Sequence, residues 1–311
     1  MSGAIVVVGS LNADLVVRTP RFPAPGETTT GSDFAIYPGG KGANQAVAAA
    51  RLGGRVAMIG RVGRDDHGVL LRRSLSAAGV DAEPVAFDDT AATGVAVITI
   101  DASGQNQIVL APGANARLRP DDVERRRSLI EGAAVVLLQL EVPLETVEAA
   151  ARIARRAGVA VVLDPAPARR DALALLPLAD FVTPNETELR VLAGAPPVPT
   201  TPDDAAKMAR ALLAQGARGV LAKLGPAGAI GVFADGESKW PGHEVRAVDT
   251  TAAGDAWNGA FAVALAEGRA VPEAGAFANA AAAISVTRLG AQPSMATRDE
   301  VEKFLASEET R

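Results

Sequence analysis

The chain is 311 residues long, enough for a large core, and carries a formal net charge of −5, two histidines and no cysteine. The absence of a basic stripe argues against nucleic acid as a partner, the absence of cysteine excludes disulfides and thiolate chemistry, and His67 and His243 lack ligand-like spacing. No apolar run approaches the ~20 residues of a membrane span and no basic leader precedes the first apolar run, so a cytoplasmic protein without a membrane partner is expected.

The nearly continuous apolar run 4–8, ending at Gly9, predicts a strand buried on both faces of a parallel sheet, with Asn12 and Asp14 delivered just past its end. Short β-branched pieces at 15–17, 27–30 and 33–37, with the pair 94–100 and 107–110 joined by the turn 101–104, predict a small sheet outside the main core. Between them Gly39, Gly40, Lys41, Gly42 and Asn44 spell GGKGAN, a glycine-rich turn entering a helix over 43–52. This is not a Walker A loop, because Ala35 and Gly42 stand where Gly and Ser or Thr are needed. Nor is it a dinucleotide fingerprint, with Gln45 at the last glycine position. Lys41 and Asn44 offer donors suited to hydroxyl oxygens, while Asp14 and Glu141 can accept from vicinal hydroxyls. Such a set describes a sugar site.

Alternation follows: strand 56–59, helices 66–78 and 120–129, strand 134–140, helix 144–157, strands 159–163 and 181–183, helices 186–193 and 202–215, and strand 219–223. This is the pattern of an α/β fold with a doubly wound, mostly parallel sheet flanked by helices, in one domain over 1–311. Strands 230–233 and 238–240 and helices from 252, 272 and 297 complete it. Arg125, Arg126 and Arg127 read as a solvated helix face, 195–201 as a surface loop, and Trp240 and Trp257 as packing residues. Asn12, Asp14, Glu141, Asp164, Asn185 and Gly225 all fall just beyond strand ends, where open α/β sheets bind ligands. Asn185 also has Glu188 at capping-box spacing.

From Asp249 to Phe261, DTTAAGDAWNGAF runs from a turn of small residues into a helix. Thr250, Thr251, Ala252, Ala253 and Gly254 leave the backbone open to a ligand, and the first amides of a helix form an anion site. Asp255 then places a base beside a phosphate. An Asp near its ordinary pKa of ~3.9 is ionised at neutral pH, so no upward shift is required. The plainer reading of one Gly-Asp pair, a cap and its turn, yields once GGKGAN is read with it.

These stretches resemble the ribokinase or phosphofructokinase-B type of carbohydrate kinase. The likeness runs through GSLNAD at 9–14, GGKGANQAVAAARLG at 39–53, QLEVPLETV at 139–147, DPAPAR at 164–169, TPNETE at 183–188, DTTAAGDAWNGA at 249–260 and VTRLGAQPS at 286–294. It implies a doubly wound core with a β lid from parts of 10–40 and 93–111, through which two copies pair into a homodimer. It further implies ATP-dependent phosphorylation of the 5-hydroxyl of D-ribose. Asp255 would be the general base and the amides of Ala252, Ala253, Gly254 and Asp255 the anion hole. Asn12, Asp14, Gly40, Lys41, Gly42, Asn44 and Glu141 would hold the sugar. Asn185, Glu188, Lys223, Leu224, Gly225, Gly228, Gly254 and Asn279 would bind the nucleotide, with Glu186 and Glu188 reaching Mg²⁺ through water. A potassium ion would be held by Asp249 and Ser294 and by the carbonyls of Thr251, Ser285, Arg288 and Gly290. Lys223, Asn279 and Trp257 depart from the residues usual in the family, a small hydroxyl residue, histidine and phenylalanine. A kinase for another sugar such as deoxyribose, or a non-catalytic sugar or nucleotide binder, are the alternatives.

Overall fold

The computed structural model describes residues 3–198 and 200–309. Its strands are β1 (Ala4–Val8), β2 (Asn12–Arg18), β3 (Phe34–Gly39), β4 (Arg55–Gly63), β5 (Val85–Asp88), β6 (Gly94–Ile100), β7 (Asn106–Ala111), β8 (Val135–Leu138), β9 (Ala160–Leu163), β10 (Phe181–Val182), β11 (Gly219–Lys223), β12 (Gly228–Phe233) and β13 (Gly236–Pro241). Nine form one sheet in the order β13-β12-β11-β10-β9-β8-β1-β4-β5, parallel except for the pairings of β12 with β11 and β13.

Alternation along β1 splits the core in two. Ile5 and Val7 join a cluster with helices Lys41–Arg51, Ala253–Ala266 and Val271–Ser285, while Val6 and Val8 join one with helices Leu144–Ala157, Glu186–Ala193 and Pro202–Leu213. Helices on both faces are why the strand sequences are apolar throughout. Helix Ala253–Ala266, apolar all round except at its start, is sandwiched between sheet and neighbouring helices.

The second sheet has the order β3-β2-β6-β7, with β2 and β6 parallel and both outer pairs antiparallel. It is the small sheet expected outside the core, with one difference: 27–30 forms no strand. Glu27 there is drawn into an ion pair with Arg21 and accepts the Ala24 amide at 2.9 Å, which holds the segment in a loop. The helix expected over 120–129 is two short ones, Pro120–Glu124 and Arg127–Glu131. Arg61 of β4 anchors Asp122 of the first at 2.7 Å, and the chain breaks direction at Arg126. Arg125, Arg126 and Arg127 pair with Asp122, Glu83 and Glu124 at the surface. In the loop 195–201, Pro199 lies outside the described residues, and Thr201 caps the next helix. Among the described residues no helix is long and apolar enough to cross a membrane.

Candidate active site

The first turn of helix Ala253–Ala266 is set by an unusual residue. Ala252 is its N-cap at φ 59°, in the left-handed region that costs a non-glycine residue energy. The Ala252 carbonyl accepts the Ala256 amide at 2.9 Å, and the Ala253 amide turns back to the Thr250 carbonyl at 3.2 Å. Ala253 is therefore partly committed. Gly254 and Asp255 follow with amides that a helix start leaves without intrahelical acceptors.

Asp255 is buried, and two side-chain amides hold its carboxylate: Asn44 Nδ2 donates to Oδ2 and Gln45 Nε2 to Oδ1, both at 3.0 Å. Gln45 Nε2 also donates to Asp164 Oδ2 at 2.8 Å, and Gln139 Nε2 donates to Gln45 Oε1 at 2.7 Å, fixing which way the Gln45 amide faces. Burial pushes the Asp255 carboxyl up to about 6, with Asp164 adding to the rise and Lys41, Gln45 and Asn44 opposing it. Asp255 is thus not at the ordinary value expected from sequence, because the sheet and helix 41–51 close over it. Lys41 keeps its proton firmly. Burial works to lower its pKa, but Asp255, Asp164, Glu141 and Glu188 together raise it.

On one side of Asp255 lie the residues expected to hold a sugar. Gly40 sits at φ 91° where a Cβ would come within 2.7 Å of the Asn12 amide, so only glycine permits this approach of turn to strand. Glu141 Oε2 accepts the Ser10 hydroxyl at 2.5 Å and the Lys41 amide at 3.1 Å. Asp14 is pushed up to about 7 by burial, with the charges of Glu141 and Asp255 adding to it. Asn12 accepts from Asn115 Nδ2 at 2.8 Å, and Asn115 is itself clamped to both backbone groups of Leu11. Gly42 is packed on Ser10 within this turn.

On the other side is a cavity of about 460 Å³ whose wall includes Lys41, Asp164, Asn185, Glu188, Lys223, Gly225, Gly228, Gly254, Asp255 and Asn279, with Val245, Ala247, Ala282 and Val286 as its apolar part. A lining that combines polar groups with aliphatic ones suits a nucleotide. Asn185 caps helix Glu186–Ala193 through a capping box with Glu188, so the cap and the site are the same residue. Leu224, expected at the nucleotide, belongs to the core, and Glu186, expected to reach Mg²⁺ through water, does not line the cavity. The Asn279 side chain is committed to the fold, accepting from Trp257 Nε1 at 3.1 Å and donating to the Trp240 and Pro241 carbonyls.

Three of the expected cation ligands, Asp249, Thr251 and Gly290, come together. Asp249 accepts the Thr251 and Gly290 amides, both at 2.9 Å. Burial alone would raise the Asp249 pKa, but these hydrogen bonds outweigh it and keep the group low. Ser285 and Ser294 are buried and donate to the Ala282 and Ala291 carbonyls at 2.8 Å, leaving hydroxyl lone pairs free. The Arg288 guanidinium turns away to Glu300, so only its backbone can contribute. A carboxylate with hydroxyl and carbonyl oxygens is a donor set that fits a hard cation.

The profile of the pfkB family of carbohydrate kinases matches residues 3–298 of this chain. The chain belongs to this family. A ribokinase of Haemophilus influenzae is 44% identical over 308 residues, covering 98% of this chain and 99% of its relative. A deoxyribokinase of Salmonella typhi is 38% identical over 306 residues, with 98% and 99% covered. The structure of Arabidopsis thaliana ribokinase complexed with ribose and ATP superposes with a TM-score of 0.92 at 36% identity, covering 98% of this chain and 99% of that one.

In this carbohydrate kinase, sequence reasoning missed Ser10, Gln45, Asn115 and Gln139, the residues that orient the expected ones. Gln45 follows directly on GGKGAN and could have been suspected as a polar residue on a buried helix face. Asn115, more than a hundred positions from Asn12, left no local signal.

Proposed function

We propose that the chain transfers the γ-phosphoryl group of ATP to the 5-hydroxyl of D-ribose. The carrying observation is the Asp255 carboxylate, gripped by Asn44 and Gln45 between the Asn12, Asp14 and Glu141 cluster and the wall of the cavity. A sugar hydroxyl presented by that cluster would meet a base at the start of a helix whose amides face incoming phosphate. Asp255 takes the hydroxyl proton as the oxygen attacks phosphorus, and the Gly254 and Asp255 amides stabilise charge on the transferred oxygens. Lys41, beside Asp255 and near Glu141, offers a cation to the same group.

Magnesium, carried in with ATP and reached through water by Glu188 with Glu186 nearby, would supply charge neutralisation on the triphosphate. Glu188 faces the cavity while accepting the Asn185 amide at 2.7 Å. Potassium would lie among Asp249, Thr251, Ser285, Arg288, Gly290 and Ser294, where it would steady the turn that carries the anion hole. We place the protein in the cytoplasm as one domain over 1–311, with the β2, β3, β6 and β7 sheet as a lid over the sugar. The lid exposes Phe34, Ile36, Val97 and Val109 on one face and Tyr37, Ile108 and Leu110 on the other, apolar surface suited to a second copy in a homodimer.

Relatives of this similarity include both a ribokinase and a deoxyribokinase, so deoxyribose is the second reading. The deciding experiment is ADP release with Mg-ATP across ribose, deoxyribose, fructose and adenosine, each with and without potassium. Potassium-stimulated turnover led by ribose is expected. A preference for another sugar moves the substrate, and no turnover with any acceptor sinks the kinase reading.

A further inference from the structure

Lys223 closes β11 at the centre of the site, and its ammonium points at the start of helix Ala253–Ala266. Its backbone is pinned on both sides: its amide donates to the Pro184 carbonyl at 2.9 Å, and it pairs antiparallel with Ala229. From this fixed base the side chain reaches Asp164, with Nζ 3.3 Å from Oδ1, only 12% of the lysine and 3% of the aspartate side chain being exposed. A Cβ at Gly254 would lie 3.3 Å from that same Nζ. The ammonium thus rests against the backbone of the anion-hole turn, in the cavity wall with Lys41, Glu188 and Asp255.

Electrostatics makes this an unexpected resting place for a cation. A helix N-terminus carries partial positive charge, and a lysine beside it raises the free energy unless an anion lies between or nearby. Asp164 supplies that anion, yet Gln45 already donates to its other oxygen at 2.8 Å, so Asp164 has a second partner when the lysine leaves. Asp164, Glu188 and Asp255 would otherwise repel an incoming triphosphate, with Lys41 the other cation in the wall.

We infer that Lys223 is a ligand of the γ-phosphoryl group, exchanging its ion pair with Asp164 for the terminal phosphate of the bound nucleotide. This rests on the ATP-dependent reading above. In the transfer, the sugar oxygen bonds to phosphorus, its proton goes to Asp255, and the bond from phosphorus to the β,γ-bridging oxygen breaks with its electron pair leaving on ADP. Lys223 stabilises charge spreading over the phosphoryl oxygens.

The test is calorimetric binding of AMP, ADP and β,γ-methylene-ATP, all with magnesium and without sugar, to the unsubstituted protein, Lys223→Met and Lys223→Arg. Loss of one charge-assisted contact predicts about tenfold or more weaker binding of the triphosphate analogue to Lys223→Met, with AMP changed by less than about twofold and most affinity recovered in Lys223→Arg. In turnover, the KM for ATP rises and kcat falls while the KM for ribose stays put. AMP binding doubles as the check that the variant is folded. An equal loss for all three nucleotides, or no loss for the triphosphate, overturns the inference and leaves Lys223 as the counterion of Asp164. Because the binding arm uses no sugar, failure of ribose turnover in the unsubstituted protein would sink the substrate reading without touching this one.

Discussion

As the proposed base, Asp255 concentrates the chemistry and also burdens the fold. Its carboxyl is raised to about 6 and that of Asp14 to about 7, chiefly by burial. The proposed base acts ionised, so kcat/KM should fall as pH drops through about 6, and sugar binding should weaken as pH drops through about 7. Gln45→Leu removes a donor that favours the ionised form, so its acid limb in a pH–rate profile should move upward. A limb unmoved by that change would make Gln45 a packing residue. Asp255→Asn should lose ~10² to 10⁴ in kcat with ribose binding largely kept. The sign for stability is opposite. A folded pKa above the unfolded one means the folded state holds its proton more tightly, so this group costs stability as pH rises from about 4 past its raised value. The thermal midpoint of Asp255→Asn at pH 8 should therefore not fall; a clear drop would show that the carboxylate stabilises the fold.

At the scale of elements, two helices build the base site together. Helix Lys41–Arg51 brings Asn44 and Gln45, helix Ala253–Ala266 brings Asp255, and they touch where a Cβ on Gly259 would lie 2.6 Å from the Ala48 Cβ and 2.8 Å from the Gln45 carbonyl. Gly259→Ala should push the helices apart, costing roughly 1–3 kcal/mol by overpacking. It should also lower kcat, since Gln45 moves with its helix. Unchanged activity in denaturant-matched assays would separate the packing from the chemistry. The sequence displayed this small-residue face as NGAF but not its partner, because Ala48 and Gly259 are remote in the chain.

For the whole molecule, the nine-stranded sheet is a rigid platform and the four-stranded one is unfinished on one side. Every residue of β7 is exposed, including Val109 at 69%. An edge strand with apolar side chains invites pairing or burial by another chain. Val109→Glu combined with Ile108→Glu should shift the sedimentation profile towards monomer and weaken sugar affinity if the lid is steadied by its partner. A wild-type protein that sediments as a monomer at all accessible concentrations would remove the dimer from the picture.

The fold class, the strands buried on both faces and the two glycine-rich turns were legible in the sequence because each is a local pattern: apolar runs, helix periodicity, small residues before a cap. Asn12, Asp14, Glu141 and Asp255 could be singled out for the same reason, being polar where a strand ends or a helix begins. Their arrangement could not. The grip of Gln45 on Asp255 and Asp164, the clamp of Asn115 on Asn12, the diversion of Asn279 to Trp257 and the reach of Lys223 to Gly254 each join segments far apart in the chain. The raised pKa values of Asp255 and Asp14 belong to the same class, since burial and neighbouring charge exist only after the helices have closed on the sheet.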